Sequence, residues 1–196
     1  MPAPTDDRRA APTTHLVRVR TFDDRIALIQ RQVWKTVLDR DIRTLSTRLV
    51  TQRCRRPDAR RGEGGWCIAE RDRWAEAVAV FGWVRAHVRY TGDAYGIDTY
   101  QTGRRTLELR AGDCDDFTIL IASMLLVIGH PVRLKSIELV QQPEPGFSHI
   151  YPQVLVGTHQ EWRALDASSS RVPGWEVSPT RIARHRLDGP VPRGAL

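Results

Sequence analysis

Ala111-Gly-Asp-Cys-Asp-Asp-Phe-Thr-Ile-Leu-Ile-Ala-Ser-Met-Leu-Leu-Val-Ile-Gly129 is the stretch that decides the fold. From Phe117 to Ile128 only Thr118 and Ser123 interrupt apolar residues, so a helix here has no polar face and is buried on nearly every side. Asp113 can cap its first turn, and Gly129 can close its last in the left-handed conformation. Cys114 then stands at the mouth of a buried helix, beside unpaired backbone N–H groups and the positive end of the dipole. That setting lowers a thiol's pKa and favours the nucleophilic thiolate. A free cysteine is also, in most proteins, a small buried residue. The stretch alone leaves packing and chemistry both open.

The 196 residues suit one domain with a real core plus an appendage. At 41% apolar and 27% charged, the composition is that of a globular chain rather than a disordered one. The longest apolar run is too short to span a bilayer. Met-Pro-Ala-Pro-Thr-Asp-Asp-Arg-Arg has no hydrophobic segment behind its charges, so a secretory signal is not expected and the cytoplasm is. Three cysteines, an odd number, favour a reducing compartment. The net charge of +7 is almost all arginine, since Lys35 and Lys135 are the only lysines. It is scattered among acids, which reads as a solvated basic surface and argues against direct nucleic-acid binding.

The chain divides into four parts: a loose arm over 1–15, an N-terminal helical region with a basic loop over 16–70, a core over 71–170, and a basic C-terminal tail over 171–196. His15 to Arg20 alternates like a short strand. Asp23 or Asp24 suits the N-cap of a helix from Arg25 to about Asp39, with Ile26, Ile29, Val33 and Val37 on one face. A shorter helix fits Ile42, Leu45, Leu49 and Val50. Arg53 to Gly65 is a turn-rich basic loop flanked by Cys54 and Cys67. Zinc is rejected there for want of two more ligands, and a disulfide between the two cysteines is geometrically possible but unsupported. Asp72 to Tyr90 is amphipathic, with Trp74, Ala77, Val78, Phe81, Val84 and Val88 on one stripe.

A long loop over Thr91–Ala111, with at most a single turn at Thr106–Leu109, carries Tyr100 and Gln101 into the cysteine motif. Strands follow. One spans Pro131–Val140, its parity shifting near Ser136 as at a bulge. His149–Val156 and Glu161–Ala167 form a hairpin about Gly157-Thr-His-Gln160.

A thiol nucleophile needs a base, and the base needs a group that holds its tautomer. His130 lies beyond the far end of the cysteine helix, roughly 24 Å from the thiol at 1.5 Å per residue. His159 sits in a turn and His185 in the arginine-rich tail. His149 opens a strand. In the hairpin, residues whose numbers sum to about 317 face each other, which brings Asp166 beside His149 even with a small register error.

Gly112-Asp-Cys-Asp-Asp116, Gly129-His-Pro-Val-Arg-Leu134, Ser148-His-Ile-Tyr-Pro-Gln-Val and Trp162-Arg-Ala-Leu-Asp-Ala-Ser168 together resemble the transglutaminase-like superfamily. The likeness is to its small bacterial and phage-encoded members and covers roughly residues 72 to 168. It implies an α+β, papain-like core, with the nucleophile helix packed on an antiparallel sheet. It further implies Cys114 as nucleophile, His149 as base and acid, and Asp166 as orienter. An acyl group taken from a peptide or carboxamide would form a thioester, resolved by water or an amine. The Cys114 N–H is the first oxyanion donor, with Gln101 or Tyr100 as the second. Asp115 and Asp116 read as dipole-complementing residues that oppose thiolate formation somewhat. The expected protein is a thiol hydrolase without cofactor or metal, acting on a protein or peptide. The alternative is an assembly protein of a phage-like particle, docking through its N-terminal helices or basic loop.

Overall fold

The computed structural model describes residue 17 and residues 19–54, 65–94, 97–139 and 146–187. The arm over 1–15, most of the basic loop and the end of the tail lie outside these. Residues 17, 19 and 20, expected in a strand, are in none.

Two helices lead the chain, α1 (Phe22–Val37) and α2 (Arg40–Val50). Thr21, not Asp23 or Asp24, caps α1. Its side chain accepts from the Asp24 N–H at 3.1 Å, and the Asp24 carboxylate returns to the Thr21 N–H at 3.0 Å. Asp39 caps α2 and also receives Arg104 at 3.1 Å. Helix α3 (Arg73–His87), capped by Asp72, buries Ala77, Val80, Phe81 and Val84. Strand β1 (Arg89–Tyr90) follows at once and pairs in parallel with β2 (Ala111–Gly112), aligning Tyr90 with Gly112. Between them the expected loop holds a full helix, α4 (Gly103–Leu109), capped by Thr102.

Helix α5 (Cys114–Val127) is the centre of the molecule. Every residue from Asp116 to Leu125 is buried, as a helix without a polar face requires. Of its two hydroxyls, Thr118 donates to the Ile150 carbonyl at 3.0 Å, while Ser123 Oγ lies 2.6 Å from the Ile119 carbonyl of its own helix and 3.1 Å from the Val33 carbonyl of α1. Asp113 caps it in a reciprocal box with Asp116, and Gly129 follows at φ +83°.

The sheet has the order β5-β4-β3-β6, antiparallel throughout, from β3 (Val132–Glu138), β4 (His149–Val156), β5 (Glu161–Ala164) and β6 (Arg181–Arg186). The pairing of β3 with β4 is continuous, so there is no bulge at Ser136. The shift in parity has another cause: both faces are covered. Val132 and Leu134 join the main core with α5, whereas Ile137 packs with Tyr151 and Ala164 in a smaller cluster. There the carboxylate of Glu176 accepts from Lys135 Nζ, the Tyr151 hydroxyl and Gln153 Nε2 at 2.8, 3.0 and 2.8 Å. Residues 181–186 are therefore a strand of the sheet rather than part of a separate tail.

Pro152 occupies the middle of β4, where a missing N–H would ordinarily break a ladder. Its carbonyl accepts from Leu165, just past the end of β5, so the missing donor faces the sheet's end.

Cys54 and Cys67 are joined in a disulfide, which the spacing alone did not support. Cys114 is the free cysteine. The bond runs against the expectation of reducing surroundings, where structural disulfides are rare. Among the described residues no helix is long and apolar enough to cross a membrane.

Candidate active site

The hairpin register pairs Gln153 with Ala164 and Val154 with Arg163, each summing to the expected 317. Asp166 lies two residues past the end of β5, and His149 opens β4. His149 Nε2 is 2.8 Å from Asp166 Oδ2, and the other carboxylate oxygen accepts from Ser168 Oγ at 2.6 Å. Burial raises the Asp166 pKa. The hydrogen bond and charge of His149, with hydrogen bonds from Ser168 and Ser169, outweigh it and hold the carboxyl below its ordinary value. An anion therefore faces the imidazole. With Nε2 engaged, Nδ1 is the nitrogen left for a thiol.

Cys114 is the first residue of α5. The backbone N–H of Ile150, next in sequence to His149, reaches its sulfur. One turn on, Thr118 binds the carbonyl of the same Ile150. Both polar backbone groups of Ile150 thus pin the start of α5 beside the start of β4.

The sulfur's other neighbour is Asp115, with Sγ 3.6 Å from Oδ1. Burial, then the charges of Asp115 and Asp113, push the thiol pKa well above its ordinary value against the opposing Ile150 N–H. The expected lowering by the helix N-terminus does not hold. Asp113 is itself shifted up by burial, Asp115 is pushed by burial and by Asp113 to about 7, and Asp116, mainly through burial, to about 6. Carboxylates that complement a helix dipole also cancel its pull on the thiol.

Of the two residues expected to supply the second oxyanion donor, Gln101 is otherwise engaged. Gln101 gives its backbone N–H to Asp116 Oδ1 at 2.8 Å and its side-chain amide to Asp116 Oδ2 and the Ala111 carbonyl. It anchors α5 and has no N–H left over. Gly112 permits this arrangement, since a Cβ there would come within 2.6 Å of the Asp116 Cβ. The Tyr100 carbonyl accepts from Gln32 Nε2 of α1 at 3.0 Å, and its phenol is raised in pKa by burial and then by the charges of Asp115 and Asp98, with Arg25 opposing.

Tyr90 is the residue the sequence did not reveal. The β1–β2 pairing fixes its backbone beside Gly112, and its ring centroid lies 6.3 Å from that of Phe117 on the first turn of α5. It is 53% exposed. Burial of part of the ring raises its phenol, and so do the charges of Cys114, Asp113, Asp115 and Asp166. Among the described residues no group of His, Cys, Asp and Glu side chains could hold a metal ion.

A helix headed by a free cysteine, packed on an antiparallel sheet whose strand ends carry a His–Asp pair, is the α+β arrangement of transglutaminase-like, papain-like proteins. Residues 47–167 match the family model of the transglutaminase-like superfamily, and the chain belongs to that superfamily. The match begins within α2, earlier than the sequence motifs suggested.

Among solved structures, one from Parabacteroides distasonis, provisionally named a protease, superposes with a TM-score of 0.52 at 10% identity. The alignment covers 84% of this chain and 30% of that one. Another from Cytophaga hutchinsonii, provisionally named a cysteine protease, has a TM-score of 0.41 at 19% identity, covering 60% of this chain and 46% of that one. The chain thus spans less than half the length of either. No curated protein matches it.

Proposed function

We propose that the protein is a thiol hydrolase, a cysteine peptidase or amidase, with Cys114 as nucleophile, His149 as general base and acid, and Asp166 as orienter. The observation that carries this reading is the 2.8 Å His149–Asp166 contact, one residue from the Ile150 N–H that meets the Cys114 sulfur. Asp166 fixes the tautomer of His149 with its proton on Nε2, leaving the Nδ1 lone pair to accept the thiol proton.

The sulfur then attacks the carbonyl carbon of a peptide or carboxamide, and the carbonyl electrons move onto oxygen. As the tetrahedral intermediate collapses, the C–N bond breaks and imidazolium returns its proton to the departing amine. Water, deprotonated by His149, resolves the thioester and frees the sulfur. The oxyanion meets the Cys114 N–H, which the helix cannot itself use, and the hydroxyl of Tyr90.

A second reading, a domain of the same fold without catalysis, draws on the thiol's upward-shifted pKa. Release of amine from a peptide and carboxamide panel by wild type, Cys114→Ala and His149→Ala separates the two. Turnover that disappears in both variants supports the hydrolase. Full activity in Cys114→Ala overturns it.

A further inference from the structure

Asp115 is the side chain in hydrogen-bond contact with the reactive sulfur, at 3.6 Å. Its backbone N–H is held by Asp113 Oδ1 at 3.0 Å, so its place on the first turn of α5 is fixed by the cap. The groups facing it are nearly all acidic or neutral. On α5 they are Asp113 and Asp116, and from the segment before α4 they are Asp98 and the Tyr100 ring. Tyr90 of β1 responds to its charge. On β4 the titratable group nearest in sequence to the Ile150 N–H is His149. Arg25 of α1 is paired with Asp98 at 3.1 Å. Among the described residues no lysine or arginine pairs with Asp115. A carboxylate so placed gains from any donor, and the thiol is the donor it has.

We propose that Asp115 is a positioning residue that holds the resting Cys114 thiol as a hydrogen-bond donor, so that activation requires the Cys114–Asp115 contact to break before the proton passes to His149. This rests on the thiol-hydrolase reading for its place in a reaction. In the activating step the S–H bond leaves Asp115, the proton transfers to Nδ1 of His149, and the sulfur keeps the electron pair with which it attacks. Asp115 neither gains nor loses a proton in that step. Its effect is to make the uncharged thiol the resting form, protected from alkylation and oxidation until the site is occupied.

Because Cys54 and Cys67 are joined, Cys114 is the sole free thiol, and its chemistry can be followed without background. The test is the rate of alkylation by iodoacetamide between pH 5 and 9 for wild type, Asp115→Asn and Asp115→Ser. Both variants are expected to react about tenfold faster at pH 7.5, with the midpoint of the profile moved to lower pH. Rates equal to or below wild type in a folded variant overturn the proposal.

The S–H stretching band of the wild-type protein gives a second measurement that needs no variant. It is expected at hydrogen-bonded wavenumbers at pH 8, moving toward the free value as Asp115 is protonated. A free S–H band at every pH overturns the proposal. Alkylation forms no acyl intermediate. A protein that meets both expectations yet is never acylated keeps the Asp115 contact and loses the hydrolase reading.

Discussion

The imidazole of His149, at the start of β4, and the carboxylate of Asp166, two residues past the end of β5, meet at 2.8 Å although they are 17 residues apart in sequence. The second oxygen of Asp166 is held by Ser168, so the carboxylate cannot turn away. Replacing Asp166 by Asn keeps the shape but lets the amide donate where His149 also donates, which favours the wrong tautomer. Acylation by an activated ester is expected to fall on the order of a thousandfold or more in Asp166→Asn, with its melting temperature nearly unchanged. A loss below tenfold would remove Asp166 from the mechanism.

Tyr90 supports the oxyanion only if its hydroxyl acts when a tetrahedral intermediate forms. Tyr90→Phe keeps the ring against Phe117 and removes that donor. Acylation by p-nitrophenyl acetate is expected to slow on the order of a hundredfold. Alkylation by iodoacetamide, which generates no oxyanion, is expected to keep its rate. Equal losses in both reactions point to thiol activation instead.

Stability should depend on pH through the head of α5. The folded pKa values of Asp115 and Asp116, about 7 and about 6, stand above the ordinary carboxylate value near 3.8. The folded state therefore binds these protons more tightly than the unfolded state. Their contribution is fully present below about pH 4 and is lost as the pH rises through 6 to 7. Asp115→Asn is expected to raise stability by on the order of 1–3 kcal/mol at pH 8 and to melt with wild type near pH 4. Thermal unfolding at the two pH values measures this; a variant less stable at pH 8 contradicts it.

His130 carries the opposite sign. It is buried at the far end of α5, 2.7 Å from Glu76. Burial lowers its pKa more than Glu76 raises it. A histidine whose folded pKa is depressed costs stability as the pH falls through the unfolded value near 6.5. His130→Gln is expected to lessen the loss of melting temperature between pH 7 and pH 5.

Much of the architecture could be read from residue patterns. The apolar run after Cys114 specified a buried helix, and the Gly157–Gln160 turn specified a register that the sheet obeys. His149 and Asp166 were recoverable because a hairpin brings them together with little uncertainty. Other features depend on contacts distant in sequence. Strand β6 has a single large apolar residue, Ile182, and is held by backbone pairing to β3. Helix α4 opens with a glycine that lies against Thr36, whose hydroxyl accepts its N–H at 2.8 Å, a reason for that glycine invisible locally.

The site shows the same division. Gln101 is an anchor rather than a donor because Asp116 folds back over Gly112 to receive it. The placing of Tyr90 beside Gly112 rests on a two-residue parallel pairing that no periodicity announces. The thiol's raised pKa reflects burial and a carboxylate cluster, which outweigh the dipole that the helix position alone suggested.

The central claim is that Cys114 takes up an acyl group with the help of His149. Mass analysis of the intact protein after brief exposure to p-nitrophenyl acetate, with peptide mapping, tests it most directly. One acetyl group on Cys114 in wild type, much reduced in His149→Ala and absent in Cys114→Ala, is the predicted result. Acetylation of Cys114 at the same rate in wild type and His149→Ala, or none on Cys114 at all, would contradict it.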